Sequence, residues 1–343
     1  MTAPAPVAAP GPLLDVAELA KRFVVGRKQG PLKRALSFSR HASSPPLLHA
    51  VDEVSFTVGR GETVGLVGES GCGKSTLVRL INRLLDPTSG SIRLGGTELA
   101  DFRARAFAGN PNRGRIQMVF QDAGDSLNPR YTAADAIADP LRRLKRLSGA
   151  RLAARVEELA DQTGLPRDLL QRFPHQLSGG QKARVGIARA IAVSPELLIL
   201  DEPTAALDVS VQVVILQLLQ QLKRELGMSY LFVSHDLNVV RLLCDRVLVM
   251  YLGKIVEQGP AAEVFADPKH PYTQALISAI PQADPARRVG RLRLGGEPRS
   301  PIDPDPRVCR FYGRCPRGTP RCAEETPLLH PAGAARQVAC HFA

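Results

Sequence analysis

The fold is decided by nine consecutive residues, Gly68-Glu69-Ser70-Gly71-Cys72-Gly73-Lys74-Ser75-Thr76. They fit the pattern G-x-x-x-x-G-K-[ST], in which glycines let successive backbone N–H groups point at phosphate oxygens. The context agrees, because residues 63–67 resemble a short buried strand and residues 76–81 begin a helical pattern. In this geometry Lys74 reaches the β- and γ-phosphates and the Ser75 hydroxyl binds Mg²⁺. The stretch therefore predicts a nucleotide-phosphate site rather than a glycine-rich turn without a ligand.

Polar side chains end three other strand-like segments of the chain. The apolar segment before Pro203 delivers Asp201 and Glu202 at its tip. Asp201 can hold Mg²⁺ directly or through water, and Glu202 can orient and deprotonate an attacking water. Gln121 ends a second segment, and His235, which could hydrogen-bond a γ-phosphate, follows a third. Gln121 or His235 alone is weak evidence for a nucleotide site. Both gain weight because they occur together with the P-loop and the two carboxylates.

The order of patterns along the chain predicts an α/β fold. Strand-like and helical segments alternate, which favours a largely parallel sheet with sites at the strand tips. Helical periodicity with many arginines predicts an inserted helical subdomain at about 122–180, with helices over 133–147 and 152–163. We expect a disordered tail at 1–12, a core at 13–258 and a separate, loop-rich C-terminal appendix at 259–343.

The composition narrows the class of protein. The 343 residues hold 45 Lys and Arg against 33 Asp and Glu, and this formal charge of +12 allows contact with nucleic acid, anionic lipid or an acidic partner. Aromatic residues make up 5% and Trp is absent, which argues against a base-stacking platform. No apolar run approaches the roughly 18 residues of a membrane span, and the N-terminus lacks the pattern of a secretory signal. We expect a cytoplasmic protein that meets a membrane only through a partner.

Taken together, these motifs closely resemble one family, the ATP-binding cassette (ABC) ATPases. The order of motifs in that family continues after the P-loop with Gln121, Leu177-Ser178-Gly179-Gly180-Gln181, Leu200-Asp201-Glu202-Pro203, Ala206-Leu207-Asp208 and Ser234-His235-Asp236. The sequence LSGGQ is highly specific beside a P-loop. The resemblance covers residues 13–258, and it implies an ATP-hydrolysing P-loop core with an antiparallel β subdomain and the helical subdomain.

The resemblance also implies roles for single residues. A four-residue signature looks like the group that caps the γ-phosphate bound to the opposite subunit: Ser178, Gly179, Gly180 and Gln181. Asp208 would signal across that dimer. Phe23 is the best-placed aromatic residue for stacking on adenine, although a phenylalanine in the core would look the same in sequence.

The resemblance assigns the catalytic chemistry to the strand-end residues. Glu202 resembles the general base, and His235 resembles the γ-phosphate switch. Gln121 would link Mg²⁺ and the attacking water to the helical subdomain, so that Ser75, Gln121 and Asp201 together serve the metal ion.

A narrower resemblance, to the ATPases of oligopeptide and dipeptide importers, rests on three segments. These segments are QDAGDSLNPR at 121–130, HPYTQAL at 270–276 and GEPRSP at 296–301. The basic insertion before Val51 and the short length are similar to the F-type subunit of such importers. Two departures, Ala123-Gly124 after Asp122 and Lys182-Ala183-Arg184 after the signature, are expected to leave catalysis intact.

The narrower resemblance implies a subunit that hydrolyses ATP to power peptide import. Its partners would be a second, distinct ATPase subunit, two transmembrane permease subunits and an extracytoplasmic solute-binding protein, with this chain peripheral on the cytoplasmic face of the cell membrane. The sequence does not identify the solute, so nickel or another small solute is an alternative to peptide. A soluble ABC ATPase acting on nucleic acid is less favoured, because such relatives usually carry two cassettes and because the positive charge here is spread along the chain.

Four of the six cysteines, Cys309, Cys315, Cys322 and Cys340, are bunched in the C-terminal appendix. A cytoplasmic tail cannot rely on disulfides, so clustered thiolates predict a metal centre. Zinc prefers paired C-x₂-C motifs, which these spacings do not supply, and four thiolates also suit a [4Fe–4S] cluster. The C-terminal region of peptide-importer ATPases looks the same, and the resemblance implies such a cluster; zinc and free thiols are the alternatives. Because the cysteines lie outside the nucleotide motifs, we expect a structural cluster rather than a catalytic one.

Overall fold

The computed structural model describes residues 11–26, 45–280, 292 and 294–343. Most of the predicted N-terminal tail therefore lies outside the described residues. In the described residues the strands are β1 (Leu14–Val24), β2 (Leu47–Val58), β3 (Thr63–Val67), β4 (Ser89–Leu94), β5 (Thr97–Glu98), β6 (Ile116–Val119), β7 (Leu197–Asp201), β8 (Ser229–Val233), β9 (Arg246–Tyr251), β10 (Lys254–Pro260), β11 (His330–Pro331) and β12 (Gln337–Val338).

The α-helices are α1 (Lys74–Ile81), α2 (Ala104–Phe107), α3 (Ala123–Ser126), α4 (Ala133–Leu144), α5 (Gly149–Gln162), α6 (Gly179–Ile191), α7 (Val209–Leu226), α8 (Leu237–Leu243), α9 (Ala261–Ala266), α10 (Pro271–Ser278) and α11 (Arg321–Glu324). Short 3₁₀ turns lie at Pro111–Gly114, Arg167–Gln171 and Pro174–Gln176.

The larger sheet has the strand order β11-β12-β10-β9-β3-β8-β7-β6. Its middle part, from β9 to β6, is parallel, whereas β10, β12 and β11 join it in antiparallel register. Every residue of β3, β7 and β8 is buried, as expected for strands covered on both faces. The mixed α/β organisation is confirmed. Because neighbouring strands run the same way, the carboxyl ends of β3, β6, β7 and β8 meet at one edge of the sheet.

The side chains of the parallel strands divide the core into two parts. Leu198 and Leu200 of β7 point towards the helices α4 to α7, while Leu197 and Ile199 point towards α1 and the second sheet. This follows from the alternation of side chains along a strand. The second sheet is antiparallel, with the order β2-β1-β4-β5, and it covers the P-loop side of the larger sheet.

The inserted helices form where periodicity predicts them, with shifted ends. The predicted segment over 133–147 ends as α4 at Leu144, and the segment over 152–163 begins earlier, as α5, at Gly149. The Thr132 side chain accepts a hydrogen bond from the Asp135 N–H and caps α4. Buried residues of α4 such as Ile137 and Leu141 are spaced four apart, which gives the helix one apolar face.

The C-terminal segment is joined to the larger sheet and does not lie apart from it. Glu257 and Gln258 of β10 pair with Val338 and Gln337 of β12. β12 has only two residues, so no alternating pattern announces it in the sequence. The Arg336 side chain reaches the Glu257 carboxylate, with a distance of 3.0 Å from Nε to Oε1, and both side chains are buried. In the described part of the chain, no helix is long and apolar enough to cross a membrane.

Candidate nucleotide site

The loop between β3 and α1 has the glycines that its backbone path requires. Gly68 has φ +152°, and a Cβ there would lie 2.1 Å from the Met250 carbonyl oxygen. Gly73 has φ +112°, and a Cβ there would lie 2.2 Å from the Ala50 carbonyl oxygen. Any other residue at either position would displace the loop. The loop is therefore shaped by its approach to the backbone of β2 and β9.

A cleft of about 440 Å³ opens beside this loop. Its lining includes Ser70–Thr76 of the loop, together with Phe23, Gln121, Glu202 and His235. The structure thus brings together predicted residues from five parts of the chain. Gly68 and Glu69 lie behind the lining: their carbonyl oxygens accept hydrogen bonds from Lys74 Nζ at 2.7 and 3.0 Å.

Sequence reasoning missed part of this lining. His49 and Ala50 come from β2, Leu252 and Gly253 from the turn between β9 and β10, and Pro301 from the C-terminal segment. The Pro301 carbonyl oxygen accepts the His49 N–H at 2.9 Å, which brings the C-terminal segment to the cleft. The GEPRSP segment was the signal available for Pro301, whereas no motif marks the others.

Three polar side chains from three strand ends meet in the cleft. Glu202 Oε2 accepts a hydrogen bond from Gln121 Nε2 at 3.2 Å and lies 3.1 Å from His235 Nδ1. The Glu202 side chain is 17% exposed and that of His235 is 65% exposed, so the carboxylate is the sheltered member. Glu202 has φ +48°, an unusual value for a residue with a side chain. The strand that Gln121 was expected to end, β6, stops at Val119, so Gln121 lies outside the ladder, where it contacts Glu202.

Asp201 is buried at the end of β7, directly before Glu202. Burial raises the pKa of its carboxyl, and the neighbouring Glu202 raises it further. Within the described part of the chain its Oδ1 is buried and has no hydrogen-bond partner. A divalent cation would relieve this desolvated carboxylate, so the donor set of Asp201 with the Ser75 hydroxyl and the Gln121 amide fits Mg²⁺.

The signature lies outside this cleft, at the start of α6. Ser178 Oγ accepts the Gln181 N–H at 3.3 Å, and Gln181 Oε1 accepts the Ser178 N–H at 2.8 Å, which forms a reciprocal cap. A Cβ on Gly180 would lie 2.8 Å from Val211 of α7. Asp208 is the residue directly before α7. The signature and Asp208 therefore stand close together, on a surface apart from the chain's own phosphate loop.

The four C-terminal cysteines lie near one another. The Cys309 N–H donates to the Cys322 carbonyl oxygen at 2.9 Å. Burial raises the pKa values of the Cys309, Cys315 and Cys340 thiols, and neighbouring cysteines of the four raise them further. However, no group of three or more His, Cys, Asp or Glu side chains in the described ranges is arranged to hold a metal ion. The described ranges therefore show neither the predicted iron–sulfur site nor the zinc alternative at these cysteines.

Comparison with known proteins defines the class. The family described as ABC transporter matches residues 51–205, and the family described as oligopeptide/dipeptide transporter, C-terminal region, matches residues 256–322. The chain is similar to the ATP-binding cassette MJ0796, solved as a post-hydrolysis dimer bound to ADP and Pi, with a TM-score of 0.62 and 29% identity over 72% of this chain and 98% of that one.

The curated relatives narrow the class. The "Oligopeptide transport ATP-binding protein OppF" of Salmonella typhimurium is 48% identical over 288 residues, which are 83% of this chain and 85% of the relative. The "Probable peptide ABC transporter ATP-binding protein y4tS" of Sinorhizobium fredii is 49% identical over 296 residues, 86% of this chain and 83% of the relative. This chain belongs to the ABC transporter family of ATPases, in its oligopeptide/dipeptide transporter branch.

Proposed function

We propose that this chain hydrolyses ATP to power the import of peptides through partner permease subunits. The observation that carries the proposal is the cleft in which the P-loop faces Gln121, Glu202 and His235. The names of the curated relatives supply the solute class, because they describe peptide and oligopeptide transport.

Different residues of the cleft would have different roles in ATP hydrolysis. Ser70–Thr76 would hold the phosphates, and Phe23, which also lines the cleft, would stack on adenine. Mg²⁺, held by Ser75, Gln121 and Asp201, supplies charge neutralisation for the phosphates when bound. Glu202 accepts the proton of the attacking water, while His235 and Gln121 orient its carboxylate and respond to the γ-phosphate.

The signature is proposed to act on the ATP of a second ATPase subunit. Ser178 and Gly179 are exposed at the N-terminus of α6, where the helix dipole and the backbone N–H groups of the first turn suit a phosphate. Asp208 beside them would report across the dimer. The remaining partners would be two permease subunits and an extracytoplasmic solute-binding protein, with the chain peripheral on the cytoplasmic face of the cell membrane.

Assembly provides the first test. The isolated chain should hydrolyse ATP slowly, because its own cleft lacks a facing signature. Turnover should rise when a distinct second ATPase subunit and the permease pair are added in vesicles, and rise again with a peptide-loaded binding protein. Full turnover by the isolated monomer would contradict the shared site, and stimulation by nickel instead of peptide would contradict the solute.

We further propose a tail at 1–12, an ABC ATPase domain at 13–258 with a helical subdomain at about 122–180, and a C-terminal importer-type domain at 259–343. In the last, Cys309, Cys315, Cys322 and Cys340 would hold a [4Fe–4S] cluster. Four neighbouring cysteines, two of them buried and two partly buried, support the proposal.

Anaerobic purification tests the cluster. The protein should be brown and should contain iron and acid-labile sulfide. Cys315→Ser should remove the colour, because it removes one of four ligands, whereas Cys244→Ala, at the end of α8, should keep it. Colourless protein with stoichiometric zinc would replace the cluster by a zinc site, and protein with neither metal would reject both.

A further inference from the structure

Glu69, the second residue of the P-loop, is held through all of its polar groups. Its N–H donates to Tyr272 Oη at 2.7 Å. Its carboxylate accepts both terminal nitrogens of Arg314, with Nη1 to Oε2 at 2.9 Å and Nη2 to Oε1 at 3.2 Å. Its carbonyl oxygen accepts Lys74 Nζ at 3.0 Å. Two of these three partners come from the C-terminal part of the chain, beyond β10.

The Arg314 side chain is fixed by its own surroundings. It is 11% exposed, Nη1 also donates to Tyr251 Oη at 3.2 Å, and the guanidinium lies 5.8 Å from the centre of the Tyr251 ring. The Arg314 N–H donates to the Phe311 carbonyl oxygen at 3.1 Å. The buried Phe311 ring packs against Tyr251 and Tyr272 at 5.2 and 5.6 Å between ring centres. These contacts therefore hold the Arg314 guanidinium in position beside Glu69.

The charge of Glu69 has an electrostatic consequence for this loop. A carboxylate beside a phosphate-binding loop repels the anionic phosphates of ATP, and water screens part of this repulsion because the Glu69 side chain is 36% exposed. Arg314 presents a planar fork that pairs with both carboxylate oxygens, so the charge is neutralised and its position is fixed. The hydrogen bonds that Arg314 donates to the Glu69 carboxylate raise the pKa of Arg314 above its ordinary value, which keeps the guanidinium charged.

We propose that Arg314 is a positioning residue for ATP binding. It neutralises Glu69 and holds the P-loop backbone on which Lys74 rests, and it acts through Glu69 without touching the nucleotide. The inference rests on the proposed ATP site. It also gives the segment between Cys309 and Cys315 a direct contact with the nucleotide loop, which the sequence did not indicate.

The test compares four full-length variants, Arg314→Gln, Arg314→Lys, Glu69→Gln and the double variant E69Q/R314Q. Binding of a non-hydrolysable ATP analogue with Mg²⁺ is measured by calorimetry, and KM and kcat are measured in parallel. Arg314→Gln should weaken binding and raise KM by about five- to tenfold, with kcat changed by less than about twofold, because the uncompensated charge acts on bound phosphates. The weakening should shrink at high salt.

The double variant separates electrostatics from folding. E69Q/R314Q should recover binding to within about twofold of wild type, because no unpaired charge remains. The affinity of Arg314→Lys for the analogue should lie between those of wild type and Arg314→Gln, since lysine keeps the charge but cannot pair with both carboxylate oxygens. Arg307→Gln is the matched control: Arg307 pairs with Asp305 on the surface of the same segment, and its loss should change nothing.

Three results would overturn the proposal. These are unchanged binding by Arg314→Gln, a double variant as weak as Arg314→Gln, and a Glu69→Gln variant that binds several-fold less tightly than wild type. The Glu69→Gln result would overturn the proposal even if the Arg314→Gln variant did not fold. A wild-type chain that binds no analogue at all would instead refute the ATP site itself.

Discussion

Glu202→Gln is expected to lower steady-state ATP hydrolysis by about 10²–10⁴-fold while ATP binding persists. The amide keeps the shape of the side chain and its hydrogen bonds with Gln121 and His235, but it cannot accept a proton from water. Phosphate release and analogue binding, measured on the same assembled complex, would separate the two effects.

The matched control is Glu225→Gln. Glu225 lies near the end of α7, where it accepts a hydrogen bond from Gln221 on an exposed surface, so hydrolysis should be unchanged. If Glu202→Gln kept more than about a tenth of wild-type turnover, Glu202 would not be the general base.

Arg336→Met is expected to lower the free energy of unfolding by about 3–5 kcal/mol. The Glu257 and Arg336 side chains are 0% and 4% exposed, so the substitution leaves a buried carboxylate without its cation. The N–H groups of Lys269 and His270 still donate to Glu257, each at 3.0 Å, but they do not neutralise it. Urea unfolding at pH 7, followed by circular dichroism, would measure the loss.

Two comparisons make this second prediction specific. Arg321→Met breaks an exposed pair with Glu325 and should leave the free energy of unfolding nearly unchanged. The double variant E257Q/R336M should recover part of the stability, because it removes the buried charge itself. An Arg336→Met protein as stable as the Arg321→Met protein would contradict the account.

The part of the site formed by strand ends was predictable because it follows from local patterns. Apolar runs predicted β7 and β8, and parallel strands end at a common edge, so Glu202 and His235 had to approach the P-loop. The meeting of Gln121 with Glu202 follows in the same way from β6.

The contacts made by the C-terminal segment were not predictable from such patterns. No pattern of strand or helix periodicity predicts that Arg314 or Tyr272 contacts Glu69. Arg314 and Glu69 are also 245 residues apart in the sequence. The two-residue strand β12 is too short to show alternation, so a segment rich in proline and arginine was expected to stand apart.

The long separation between Glu69 and Arg314 bears on how the protein is made. A ribosome adding roughly 5–20 residues per second needs on the order of 10–50 s to pass from one to the other. During that time the nascent chain already carries the whole phosphate loop but not Arg314, the partner of the Glu69 carboxylate. If Arg314 has the proposed role, the nucleotide site is complete only after Arg314 itself has emerged, and a chain truncated before Arg314 is expected to carry every nucleotide motif and still bind ATP weakly.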